Sequence, residues 1–331
     1  MKKLIAAAVA TSVSAIAMAD VSITGNAKYE VFQTEVTGAA ATYTANTEVN
    51  VSVKGKTGDT SVVANLELNT HGGGTADGTG LDIEDMYMTT KLGDINVKAG
   101  SYASGTTALL GEIDAGQRAT DKLDLSTNIG DWKVAYSVGE SSGGELNNDG
   151  SAVSVSGKIA GFNVALKEQS DSYTGFGVSG DIAGIKTRLE MKNGDAANSD
   201  VTFGEFSTSL GGATVGYAFV DADAAQLISE GDSGIFGRSL AGDDTGTIPA
   251  GDTVTGASQI MISTSVAGNT VTAKIGELKD KIAAGTDADF TELSLKRALA
   301  SGANLAIIYD DYDSSSSATT QVLEVELNVA F

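Results

Sequence analysis

The segment Gln321 to Phe331 reads Q-V-L-E-V-E-L-N-V-A-F, and its strict alternation constrains the fold more than any other feature of the chain. Leu323, Val325, Leu327, Val329 and Phe331 fall on one face; Glu324, Glu326 and Asn328 fall on the other. Side chains alternate with period two along a strand, so this is a strand with one apolar and one wet face. A strand of a soluble sandwich has the same alternation. An aromatic as its last residue is not something a sandwich requires.

The pattern recurs along the chain. Val21, Ile23, Ala27, Tyr29 and Val31 oppose Ser22, Thr24, Asn26, Lys28 and Glu30. Val49, Val51 and Val53 oppose Asn50, Ser52 and Lys54, and similar runs start near Val62, Trp132, Ile185 and Leu305. Their connections alternate in length. Short glycine turns at Gly58-Asp59, Gly93-Asp94, Gly130-Asp131, Ala160-Gly161, Ala183-Gly184, Gly211-Gly212, Gly268-Asn269 and Ser301-Gly302 take turns with longer polar connections, such as 103–120 and 221–256. An up-and-down barrel produces this asymmetry, whereas Greek-key crossovers scatter their long loops. Counting the runs predicts an all-β, transmembrane, antiparallel up-and-down barrel of 18 strands, with 16 as the alternative, and no domain boundary. The strand lengths suit the roughly 9–11 residues that cross a bilayer at a tilt. A single Pro against 41 Gly fits a chain in which almost every backbone N–H is needed by a ladder.

Residues 1–19 read as a secretory signal: Lys2 and Lys3, an apolar run from Leu4 to Ala17, then Ala17-Met18-Ala19 as a cleavage site. The barrel then occupies 20–331. With no Cys, an exported chain has no disulfide framework and no thiolate metal site. The sequence holds 21 basic and 43 acidic residues, and loss of the two signal lysines leaves 19 against 43. Such an imbalance argues against nucleic acid as a partner.

Enzyme signatures do not hold together. His71-Gly72-Gly73-Gly74 resembles an oxyanion loop, yet no G-x-S-x-G elbow accompanies it. Gly231-Asp232-Ser233-Gly234 resembles a serine-protease segment, but His71 is the only histidine and lies in a glycine run. Gly55-Lys56-Thr57 ends like a phosphate loop, but Asn50 stands where its first Gly belongs. No catalytic residue, resident metal or cofactor is expected.

Taken in order, the segments V-S-I-T-G-N-A-K-Y-E, K-G-K-T-G-D-T, K-L-G-D-I-N-V-K-A-G-S-Y and V-E-L-N-V-A-F resemble the Gram-negative outer-membrane general porins across the whole mature chain. Porin barrels commonly have sixteen or eighteen strands; general porins have the smaller number, so the count departs from the family by one hairpin. The resemblance implies an outer-membrane channel for passive diffusion of small hydrophilic solutes and ions. It implies a homotrimer in outer-membrane lipid, inserted by the barrel assembly machinery, which reads the terminal aromatic Phe331. A substrate-selective barrel and an exported adhesin or surface-layer protein are the alternatives.

In porins the third long loop folds into the barrel. The resemblance therefore makes Glu112, Asp114 and Arg118 the constriction, after Ala99-Gly100-Ser101, whose small side chains leave room for the loop to turn inward. Facing it, Lys28, Lys54, Lys98, Arg188 and Lys274 are the candidate basic pore wall, and acid against base sets up a transverse field. Acidic loops, with Asp243, Asp244, Asp311 and Asp313, are expected at an external mouth that attracts cations and binds Ca²⁺ weakly. A preference for cations follows. Tyr29, Trp132, Tyr136 and Tyr309 fall on the apolar faces, so no aromatic track is expected in the lumen.

Overall fold

A computed structural model describes residues 20–69, 80–103, 118–139, 151–195, 200–226, 254–279, 287–314 and 319–331. These form eighteen strands: β1 (Asp20–Val36), β2 (Thr42–Thr57), β3 (Thr60–Asn69), β4 (Gly80–Leu92), β5 (Ile95–Ala103), β6 (Arg118–Ile129), β7 (Trp132–Val138), β8 (Ala152–Ile159) and β9 (Phe162–Gln169). The second half comprises β10 (Tyr173–Ile182), β11 (Ile185–Gly194), β12 (Val201–Leu210), β13 (Ala213–Gln226), β14 (Val254–Val266), β15 (Asn269–Lys279), β16 (Ala288–Ala298), β17 (Ala303–Ser314) and β18 (Thr320–Ala330). Each strand pairs antiparallel with the next, and β1 also pairs with β18, so the sheet closes. Closure gives every strand two neighbours, the condition for placing backbone amides in hydrocarbon. The larger of the two strand numbers read from the sequence is the one that forms.

The closing seam runs from Asn26 opposite Ala330 to Val36 opposite Thr320. It extends one step further, because Gly25 and Phe331 exchange two backbone hydrogen bonds of 2.9 Å. Directly opposed residues share a face. Tyr29 therefore lies beside Leu327 and Thr47, while Lys28 lies beside Asn328 and Glu48. The apolar face is outside. Ile23, Leu81 and Ile275 leave 63–64% of their surface bare there. Aliphatic exposure on this scale all round a ring suits lipid and not water.

Seven of the eight short turns use two geometries, and the eighth, between Ala298 and Ala303, is a longer loop in which the Gly302 N–H donates to the Leu299 carbonyl at 3.0 Å. Ala160-Gly161, Ala183-Gly184, Gly211-Gly212 and Ala267-Gly268 have positive φ at both central residues, the I′ pattern. Gly58, Gly93 and Gly130 have positive φ alone, each before an Asp, as in II′ turns. The turn expected at Gly268-Asn269 is centred one residue earlier, and Asn269 Nδ2 donates to the Val266 carbonyl at 3.0 Å.

Among the described residues, three register shifts interrupt the ladders; one separates Asp221 from Gln226 where β13 pairs with β14, and the other two lie at β4 and β5. Asn65 faces Asp85 and Leu66 faces Ile83, so Glu84 is the extra residue of a bulge in β4. A second register shift lies between Gly100 and Tyr102 in β5. Gly100 has φ +136°, and a Cβ there would stand 2.2 Å from the Met86 carbonyl oxygen. The close approach of β4 therefore requires the glycine at this position.

Candidate functional site

The inner wall divides into three sectors. From β16 round to β4 it is rich in acid, with Glu292, Asp310, Glu324, Glu326, Glu30, Glu48, Glu67 and Asp85 on the inward register. Lys28 anchors this sector, its Nζ 3.0 Å from Glu30 and 3.2 Å from Glu48. Asn46 Nδ2 also donates to Glu30 at 3.3 Å. Carboxylate oxygens of Glu30, Glu324 and Glu326 lie within 4.8 Å of one another, and Glu30 and Glu324 are fully buried. At the sector's edge Lys274 Nζ donates to Glu292 at 3.3 Å.

From β5 to β11 the wall is basic: Lys98, Lys122, Lys133, Lys158, Lys167, Arg188 and Lys192 face inward. Tyrosines organise these charges. Lys98 Nζ sits 4.0 Å from the Tyr87 ring centre and 3.7 Å from that of Tyr102, while Lys122 reaches the same Tyr102 ring at 5.4 Å. The two rings meet edge to face at 5.6 Å. Tyr173 repeats the arrangement between Lys167 at 4.9 Å and Lys192 at 4.6 Å. Each contact of this kind is worth about 0.5–2 kcal/mol, the larger value where water is excluded. Arg188 lies 5.4 Å from the Phe203 ring, and its Nε and a terminal nitrogen approach one oxygen of Glu190 at 2.8 and 2.6 Å.

The third sector, β12 to β15, is poor in charge. Phe203, Ala218, Ala257 and Leu278 form a buried inward cluster that Phe290 of β16 and Tyr312 of β17 continue. Val220 and Met261 pack against it.

The sequence candidates meet different fates. Lys28, Lys98, Arg188 and Lys274 stand on the inner wall with the partners just named, and Lys54 is inward but exposed near the short-turn end. Glu112, Asp114, Asp243 and Asp244 lie outside the described residues. Arg118 is not a loop residue: β6 begins with it, paired to Ala103. Segment 221–256 is likewise shorter than expected, since β13 continues to Gln226 and β14 starts at Val254. Asp311 and Asp313 stand on the outward register at the long-loop end of β17, where Asp313 accepts from the Thr319 hydroxyl at 3.0 Å. They flank the barrel and do not line its lumen. Among the described residues, the three carboxylates close enough to share a cation are Glu30, Glu324 and Glu326.

One expectation is overturned. Although Tyr29, Tyr136 and Tyr309 face outward, Phe32, Tyr87, Tyr102, Tyr173, Phe203, Phe290 and Tyr312 all face inward. The signal was legible. Phe32 is two residues from Glu30, and Tyr102 four from Lys98, so parity alone assigns both to the wet face. The sequence reading followed the cleanest alternations and missed rings interspersed among charges.

No family model matches the sequence, and no curated protein sequence matches it. Solved structures do match the fold. The outer membrane protein opdK from Pseudomonas aeruginosa superposes with a TM-score of 0.64 at 11% identity, over 94% of this chain and 98% of that one. OccK11 (OpdR) of the same organism gives 0.64 at 11% over 94% and 96%, and OccK2 (OpdF) gives 0.64 at 13% over 94% and 98%. The chain is similar to these in architecture; identities this low establish the barrel fold alone.

Proposed function

We propose that this chain is an outer-membrane porin of a Gram-negative bacterium, a water-filled channel through which small hydrophilic solutes and ions diffuse passively. The observation that carries the reading is the inversion of polarity across a single closed sheet. Aliphatic side chains are bare on the outside, and ionised side chains line the inside. That inversion lowers the cost of carrying a charge through lipid, because the charge meets fixed opposite charges and water. No chemical change of the solute is involved.

The acidic excess of the sequence supports a moderate preference for cations, opposed by the lysines of β5 to β11. The inward tyrosines and phenylalanines support selectivity among solutes over unselective leakage. By the family resemblance the assembly is a trimer. Purified protein in a planar bilayer tests all of these together. The expected record is stepwise KCl conductance, with closures in groups of three. Absence of any conductance from folded, inserted protein would remove the channel reading.

A further inference from the structure

On the wall formed by β1 to β4 is a cavity of about 350 Å³, near the lower end of the size range of small-molecule sites. Its lining is unlike the rest of the acidic sector. Asn26 and Asn50 stand side by side across β1 and β2, with Thr24 and Ser52 one row away and Asn65 beyond them on β3. Glu48, Glu67 and Glu84 add acid to it, and Gly25, Val51 and Leu66 line the remainder. Glu84 is the extra residue of the β4 bulge, and bulges commonly redirect a side chain at a functional position. Without that bulge the strand would present a regular alternation at this height.

The donor and acceptor pattern selects the ligand class. Three side-chain amides and two hydroxyls offer N–H and O–H donors beside oxygen acceptors, and the carboxylates offer acceptors only. A metal ion or an ammonium group accepts no hydrogen bond, so the amide N–H and hydroxyl groups not already directed at Glu48 and Asp85 gain nothing from it. A ligand of paired hydroxyls donates to carboxylates and accepts from amides at once. Part of the acid is also engaged already: Glu48 holds Lys28 at 3.2 Å and takes a short hydrogen bond from Asn50, and Asn65 Nδ2 donates to Asp85 at 2.8 Å. We infer that this cavity is a binding subsite for a neutral polyhydroxylated solute the size of one sugar ring. The inference rests on the channel reading above and names a solute class for it.

Glucose is the probe. Folded protein in detergent is titrated with glucose by calorimetry, and bilayer currents are recorded in KCl with increasing glucose on the long-loop side. Saturable heat and saturable block, both in the millimolar range, are expected from the parent. Asn50→Leu and Asn65→Leu together should raise the half-saturating concentration at least tenfold in both measurements. Variant folding is checked by heat-modifiable migration, and Glu84→Gln, which keeps shape and hydrogen bonding, gives a milder second variant with a several-fold shift expected. A current that falls only in proportion to solution viscosity, with no saturable heat, overturns the subsite. Saturation by arginine but not by glucose overturns it in favour of a cation cradle. Conductance that never appears, while glucose still binds in detergent, removes the channel and keeps the site.

Discussion

Gly25 and Phe331 are locked together by two backbone hydrogen bonds of 2.9 Å, and the phenyl ring lies over the space that a side chain at position 25 would fill, 2.7 Å from a built Cβ. The barrel is thus closed by a residue with no side chain beneath a residue with a large one. Each hydrogen bond contributes about 1 kcal/mol net, more where water is excluded. Deleting Phe331, or changing it to Ser, should sharply reduce the fraction of chain that migrates as folded, heat-modifiable barrel. Gly25→Val should do the same from the opposite strand. If both variants assemble like the parent, the ring contact has no part in closure.

Three alanines occupy left-handed conformations in I′ turns: Ala160 at φ 50°, Ala183 at 54° and Ala267 at 50°. That region costs a residue with a Cβ about 1–2 kcal/mol, less for Asn. Replacing each with Gly or Asn should stabilise the barrel by about 0.5–1 kcal/mol per site. The three turns are distinct hairpins, so the gains should add. Urea midpoints in lipid vesicles measure this, and a triple variant with an unchanged midpoint would contradict the turn assignment.

Arg188 and Glu190 form a compact pair in which Glu190 is fully buried. Removing the cation while keeping the carboxylate should cost about 3 kcal/mol. Arg188→Ala should therefore lower the unfolding midpoint more than Glu190→Gln does. The double variant should recover part of the loss, and strict additivity would show that the pair is not coupled.

The lysine sector and the acidic excess pull selectivity in opposite directions. Lys122→Met with Lys167→Met should raise the cation-to-anion permeability ratio several-fold, read as a more positive-ion-selective reversal potential across a KCl gradient. The Debye length is about 30 Å at 0.01 M and about 8 Å at physiological salt, so the change should be larger in dilute solution. An unchanged reversal potential would mean that these lysines do not face permeating ions.

Much of the architecture was legible before any coordinates. Strand number, the order of turns and the inward facing of Lys28, Lys98 and Arg188 all follow from parity and from glycine placement, because the period of a strand is two and lipid enforces it on one side. What parity does not give is depth and lateral partner. The Lys98–Tyr102–Lys122 arrangement depends on a register shift at Gly100 that no local pattern announces. The cavity at Asn26 and Asn50 depends likewise on the unmatched Glu84. Arg118 was misplaced because β6 starts earlier than its alternation becomes regular. Inward tyrosines were missed because an aromatic among lysines looks, in one dimension, like a break in the pattern.

Three unlike sectors arranged around a ring have a sense of rotation. Going round the wall in chain order one meets acid, then base, then neutral and apolar surface, and the mirror image of that order is a different object. A solute with an ammonium, a carboxylate and an uncharged third group touches all three in one arrangement, while its enantiomer does so only with its fourth substituent turned toward the opposite end of the pore. The passage is therefore a chiral environment in a functional sense, and the D and L forms of one such solute should block the ionic current unequally. Equal block by the two forms would show that permeating molecules do not meet the three sectors together in one fixed axial orientation.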